Sequence, residues 1–257
     1  MSWLLRAFTG WTVLVLIFFY VPIAILIAFS FNESRLNIEW TGFTTEWYAK
    51  MWNDRVLMRA AQNSVIVAAA STTLSVLLGT AGAWLLYRYR YKAAGLIETL
   101  VFLPMIVPEV ILGVSLLILF VTLEMQLGYT TIVISHVTFC FPFVMAAVQA
   151  RLAGLDPSLE EAALDLGATP LQAFFKVLVP FLMPAILSGA LMAFTLSLDD
   201  LIVTYFTASA RTQTLPIVIF GKVKKGLDPS LNAISTVLIL ITVMALFLTE
   251  ALRRRNP

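Results

Sequence analysis

DPSLEEAALDLGATPLQAFFKVLVP, residues 156–180, stands between two membrane-length apolar stretches and reads as helix, glycine break, helix. Asp156 and Pro157 start the first helix, because the carboxylate accepts backbone N–H groups left without partners in a first turn and proline sits where no N–H partner is needed. Glu160 and Glu161 favour the positive end of that helix. Leu155, Leu159, Ala163 and Leu166 recur at helical spacing and form one small apolar face, and Gly167 offers the left-handed turn that ends a helix. Thr169 and Pro170 start the second helix. Neither lipid nor the chain's own core demands a short amphipathic pair at this place, so its use is to dock another protein.

The rest of the chain is built for a bilayer. Of 257 residues, 60% are hydrophobic and only 12% charged, and the mean hydropathy is +0.91; an ordinary soluble domain is excluded. Crossing the hydrocarbon takes roughly 20 helical residues. Charge-free stretches of that order run from Ala7 to Asn32, Ala60 to Tyr87, Met125 to Ala150, Val177 to Leu198 and Pro229 to Thr249. A sixth, from Ala93 to Leu123, is apolar except for Glu98 and Glu109. The expected fold is therefore an all-α membrane protein with six transmembrane helices and a cytoplasmic insert between the fourth and fifth. The first run follows Arg6 but is too long for a secretory signal and lacks a small-residue cleavage site, so it reads as an uncleaved span. The third contains FLPMIVPEV, where Pro104 and Pro108 remove backbone hydrogen bonds and should kink or break the helix. Pro180 and Pro184 can bend the fifth.

Positive residues fix the orientation. Arg88, Arg90 and Lys92 crowd the second loop and Arg253, Arg254 and Arg255 the C-terminus, while the loop around Glu124 has neither Lys nor Arg; both termini and the insert are expected in the cytoplasm. Lys222, Lys224 and Lys225 oppose this rule, and TLPIVIFGKVKKG is compatible with a partly buried, non-helical stretch shielded from lipid. Trp40, Trp47, Tyr48 and Trp52 read as interface anchors or as a surface for a soluble partner. The net charge of +2 is too small, and too scattered, for nucleic-acid binding. Cys140 is the single cysteine, which excludes an internal disulfide.

No phosphate-binding loop, metal-ligand cluster or nucleophile motif appears, so this chain is not expected to be an enzyme or to hold a cofactor or metal itself. A few polar and aromatic positions stand out. Glu109 follows Pro108 inside an apolar span, where a carboxylate costs about 2.5–3.5 kcal/mol unless it meets water or a cation; it is either internally paired or protonated, or it lines a cation path. Asp199 and Asp200, in SLDDLIVTYF, would point about 100° apart on a helix, so only one faces such a path; the alternative is a pair of interface residues at a helix end. With Tyr205 and Phe206 nearby, an acid-lined path suits organic cations, because ring faces add cation–π attraction of roughly 0.5–2 kcal/mol. His136, the single histidine, is either a relay in the solute path or a helix-to-helix hydrogen bond.

Glu161, Ala162, Ala163, then Gly167, Val177 and Pro180 resemble the EAA motif of permease subunits in binding-protein-dependent ABC importers: EAA, three residues, G, nine residues, I, one residue, LP. The spacing matches, with Val177 and Val179 where isoleucine and leucine are usual. YVPIAILIAFSFN (20–32), WTGFTTEWY (40–48), LYRYRY (86–91), SHVTFCFPFVMAAVQARL (135–152) and SLDDLIVTYF (197–206) are further similar to spermidine/putrescine importer permeases. The resemblance implies a type I importer permease: one transmembrane domain over 1–257, with 151–180 as its cytoplasmic coupling segment, in a bacterial inner membrane. It implies a second permease subunit, two ATPase subunits that bind ATP and Mg, and a periplasmic substrate-binding protein. Glu161, Ala162, Ala163, Gly167 and Pro180 would couple to the ATPase, and Glu109, Asp199, Asp200 and Tyr205 would line the polyamine path. Glu109 stands where the relatives' pattern has aspartate, which lengthens the arm. Other readings are an importer of another solute, such as thiamine or an amino-acid-derived compound, and a stand-alone ion-coupled carrier with Glu109 and the aspartates as coupling sites.

Overall fold

The computed structural model describes residues 2–34, 39–89, 92–156, 158–226 and 229–255. Arg90, Pro157 and the Asp228 end of the lysine loop lie outside the described residues, as do the side chains of Arg6, Arg253, Arg254 and Arg255. The helices, in order, are α1 (Ser2–Phe29), α2 (Glu46–Asn53), α3 (Arg55–Arg88), α4 (Ala94–Phe102), α5 (Glu109–Thr122), α6 (Tyr129–Leu152), α7 (Ser158–Asp165), α8 (Pro170–Ala173), α9 (Val179–Asp199), α10 (Ile202–Thr207), α11 (Leu215–Lys225) and α12 (Pro229–Arg255). Among the described residues the β pairing is a single antiparallel bridge, Asn32 to Phe43.

Among the described residues, four uninterrupted helical runs are long and apolar enough to span: Phe8–Phe29, Arg55–Arg88, Tyr129–Leu152 and Pro170–Asp199. The expected break at Pro104 and Pro108 is present. α4 with its 3₁₀ turn Leu103–Met105 meets α5 at 105°. α12 is 27 residues long and carries the shorter apolar run Pro229–Met244. The insert differs from the expected helix pair in one respect. α8 is not a separate helix but runs through a π-helical turn, Phe174–Leu178, into α9. The widened turn contains Lys176, the residue four before Pro180, whose carbonyl the proline ring would crowd in a regular helix.

The chain divides into two units, Met1–Arg59 with Val218–Pro257, and Ala60–Ile217. In the first, the segment after α1 is tied by Trp47 Nε1–H donating to the Asn32 carbonyl at 2.7 Å, by Ser30 and Tyr48 hydroxyls at 2.7 Å, and by Phe31 stacked on Phe43. Trp47 is thus a structural anchor. Asp54 caps α3: its Oδ1 accepts from the backbone of Val56 and Leu57 at 3.0 and 3.1 Å, and its Oδ2 from Lys222 Nζ at 2.6 Å. Burial pushes the Asp54 carboxyl upward, but the Lys222 bond, the Leu57 N–H, the Lys222 charge and the Val56 N–H together hold it below its ordinary value. The lysine loop is a correction to the sequence reading, since Leu215–Lys225 is helical. Pro216 falls in the first turn, where a missing N–H costs nothing, and Ser64 accepts the Leu215 N–H at 2.8 Å.

The second unit is organised around α6. Val144, Met145, Val148 and Leu152 are buried, with Leu178, Leu182 and Ala193 against them. A Cβ on Gly79 would stand 2.9 Å from both the Met145 backbone nitrogen and Val144 Cβ, and one on Gly189 3.0 Å from Val144 Cα. α3 and α9 therefore approach α6 backbone to backbone, the contact that dispersion rewards where lipid offers no hydrophobic drive.

Candidate functional site

Two helix breaks meet one cavity of about 390 Å³, and both lie in the second unit. The first break sets Glu109 at the opening of α5, directly after Pro108, where a carboxylate is favoured by the helix N-terminus. The second lies between α9 and α10 and carries Asp199 and Asp200. Glu109, Asp199 and Asp200 all line the cavity, so residues distant in sequence are brought to one place. Tyr205 is not part of the wall. It is 62% exposed and meets Phe206 edge to face. The rings in the wall are Phe139 and Phe143 from α6; sequence reasoning missed them, although their spacing of four on one helix face around Pro142 was a readable signal.

The two aspartates differ, and the geometry corrects the idea that both sit on a continuous helix. α9 ends at Asp199, and Asp200 is extended, with φ −61° and ψ 124°. Asp200 Oδ2 accepts from the backbone N–H of Thr204 at 2.7 Å and its hydroxyl at 2.6 Å, and Oδ1 accepts from Val203 N–H at 3.3 Å. These are the orphan donors of the first turn of α10, so the side chain that lines the cavity also makes the break. His136 Nε2 lies 3.4 Å from the same Oδ2. The buried imidazole also meets Ser197 and Thr204, so it joins α6 to α9 and α10 by hydrogen bonds. The Asp199 carboxylate is exposed.

On the insert, Asp156 Oδ1 accepts the Ser158 N–H at 2.9 Å and so starts α7; that backbone bond, with the Ser158 hydroxyl, holds the Asp156 carboxyl below its ordinary value. Gly167 adopts φ +85°. Its N–H donates to the Leu164 carbonyl at 2.9 Å and that of Ala168 to Ala163 at 3.0 Å, the paired bonds of a glycine-terminated helix. Thr169 and Gln172 then form a reciprocal capping box. The two glutamates have separate roles. Glu160 is buried and stands 2.9 Å from Arg88 Nη1 at the end of α3, an ion pair whose N–H does not point along the contact. Glu161 and Ala162 are exposed, Ala163 is half-buried, and Pro180 lies in the first turn of α9. The expected apolar face divides as well: Leu155 joins the core, whereas Leu166 is 90% exposed, and Leu159, Leu171 and Phe175 are exposed beside it.

Over residues 72–256 the chain matches the family described as binding-protein-dependent transport system inner membrane component. It is 39% identical to the spermidine/putrescine transport system permease protein PotC of Escherichia coli (strain K12), over 95% of this chain and 93% of that protein. It is 40% identical to the putrescine transport system permease protein PotI of the same strain, over 89% of this chain and 85% of that protein. Among solved structures it shares its fold with a chain of the bacterial alginate ABC transporter in complex with an alginate pentasaccharide-bound periplasmic protein: TM-score 0.76, 18% identity, 99% of this chain and 96% of that chain.

Proposed function

The chain belongs to the binding-protein-dependent transport system inner membrane components, and from this premise we propose that it is a permease subunit of an ATP-driven importer that carries polyamines across the inner membrane. The observation that carries the reading is the cavity in which Glu109, Asp199 and Asp200 converge beside Phe139 and Phe143. Carboxylates at membrane depth are costly without a counter-charge. A cationic amine supplies it, and the ring faces add cation–π attraction. Of the three acids, Glu109 and Asp199 are the exposed ones and meet the amine; Asp200 holds the break and contributes its field.

A periplasmic binding protein delivers the solute to this chain and a second permease subunit. Two ATPase subunits bind ATP and Mg, so ATP hydrolysis resides outside this chain. They dock on the cytoplasmic insert at Glu161, Ala162, Ala163, Leu166 and Gly167, where exposed apolar side chains stand on a rigid, doubly capped element. Both termini then face the cytoplasm. Closure of the ATPases moves α7, and the run from Pro170 through Pro180 to Asp199 carries that movement to the cavity. Labelled putrescine and spermidine uptake by polyamine-transport-deficient cells expressing the assembled system tests the reading. ATP-dependent uptake, with an ATPase co-purifying with the chain, is the expected result. An assembled complex that takes up neither polyamine removes the substrate assignment, and a chain that purifies alone and transports removes the importer.

A further inference from the structure

We propose that His136 is the positioning residue of the cavity: from α6 it bridges both sides of the α9–α10 break and holds the Asp200 carboxylate in the wall, so that productive passage of the amine depends on its Nε2–H. The inference rests on the proposed import function and assigns a role to a side chain that does not itself line the cavity.

Nδ1 lies 2.7 Å from the Ser197 hydroxyl, on α9 before the break, and Nε2 lies 2.8 Å from the Thr204 hydroxyl, on α10 after it. One planar ring therefore bridges two helix ends between which the helical conformation is interrupted. The proton inventory settles how. Thr204 has one hydroxyl hydrogen, and at 2.6 Å it is donated to Asp200 Oδ2; towards His136 that oxygen can only accept, so Nε2 carries a proton. Nδ1 faces the Ser197 hydroxyl at 2.7 Å, which is in turn 2.9 Å from that of Ser71 on α3, whose own hydrogen goes to the Val67 carbonyl at 2.8 Å. The chain Ser71, Ser197, His136, Thr204, Asp200 thus runs from α3 to the cavity through groups that are all buried, apart from the acid's edge. An Nε2–H directed at Thr204 and Asp200 fixes the place of the carboxylate. That is what a wall facing a cation requires, and an apolar residue at 136 would give packing without orientation.

The test separates orientation from packing with three substitutions in the complete importer, reconstituted with its ATPase and binding protein. Glutamine sets its amide where Nε2 lies, asparagine sets its amide where Nδ1 lies, and leucine offers neither. The readout is labelled spermidine taken up per ATP hydrolysed. His136→Leu and His136→Asn should lower this ratio about tenfold, the scale of one hydrogen bond to a charged group, whereas His136→Gln should stay within about threefold of wild type, because its amide N–H can donate to the same acceptors as Nε2–H. Uptake and hydrolysis falling together at an unchanged ratio, or glutamine no better than asparagine, would overturn the proposal. If the leucine protein does not accumulate, the glutamine and asparagine pair decides alone, since both keep a polar side chain in the site. Absence of spermidine uptake by wild type, in contrast, is a failure of the import reading.

Discussion

Replacing Asp200 by asparagine removes a charge and turns one acceptor oxygen into a donor. In the wild type Oδ2 receives the Thr204 N–H, the Thr204 hydroxyl and, at 3.4 Å, His136, and Oδ1 receives the Val203 N–H. Either orientation of the new amide sets its NH₂ against an N–H group. The less costly one gives up the 3.3 Å bond from Val203 and leaves the bonds at Thr204 as neutral ones. Hydrogen bonds to charged groups are worth about 1.5–3 kcal/mol and neutral ones about 0.5–1.5. The difference, with one N–H left unpaired, amounts to about 2 kcal/mol, or roughly 30-fold in the population of an opened break. Amide exchange at Val203 and Thr204 in the detergent-solubilised complex reads that population. Asp200→Asn should accelerate it roughly 30-fold, while Asp199→Asn, whose carboxylate is exposed at the cavity, should leave it at the wild-type rate and still lower polyamine uptake. Unaltered exchange in Asp200→Asn, or acceleration in Asp199→Asn, would refute the division of labour between the two acids.

Glu161→Lys should leave the amount of chain in the membrane unchanged and reduce both uptake and the ATPase recovered on purification, because the exposed carboxylate belongs to the proposed docking surface; normal uptake at normal protein levels contradicts this. Gly79→Ala should destabilise the second unit by about 1–3 kcal/mol, the range for overpacking, since its Cβ meets the Met145 backbone; Gly82→Ala, whose Cβ would meet only Met145 Sδ at 3.4 Å, is the matched control in thermal denaturation. Arg88→Leu leaves Glu160 buried without its partner and should cost more than the double change Arg88→Leu with Glu160→Leu, by a coupling of about 1 kcal/mol given the partly exposed arginine; equal melting of the two variants argues against a structural ion pair. The Asp54–Lys222 pair should be pH-sensitive in one direction. A carboxyl depressed in the folded state adds stability above its unfolded pKa of about 3.9, and that stability is lost as pH falls through the depressed value. Asp54→Asn and wild type should therefore differ at pH 7, by up to about 1 kcal/mol, and converge in strong acid; a difference that persists there defeats the assignment.

The signals that were legible in the sequence share a cause: each is local. Span length, the proline break before Glu109, the glycine stop at Gly167 and the Thr169 cap are decided within a turn or two of chain, and the structure reproduces each. What was missed depends on distant partners. Glu160 and Glu161 are neighbours of one type, and only Arg88, more than seventy positions away, draws the first inward. Tyr205 is near the aspartates in sequence, yet the break between α9 and α10 leaves it exposed while α6 brings Phe139 and Phe143 to the acids. The helix over Leu215–Lys225 was masked by glycine and lysine composition, because its start depends on Ser64, another residue remote in sequence.

The break at Asp200 shows why the acid and the cavity belong to one device. An unwound stretch at membrane depth exposes backbone groups that lipid cannot satisfy, so it persists only against protein or a water-filled space. Here the N–H groups opened at the start of α10 are taken by a carboxylate, and that carboxylate is one wall of the space. A neutral cap such as serine could satisfy an N–H, but it would place no charge beside a cationic solute. Across the cavity the opposite solution is used: Pro108 removes the N–H that would need a partner, and Glu109 follows it as the first residue of α5. Two breaks, one closed by an acid and one by an imino acid with an acid behind it, give a polar chamber whose negative charge is fixed by the helix ends themselves. Moving either helix end would therefore move a carboxylate, which under the proposed function is the link between a mechanical input at the insert and the affinity of the path for a cation.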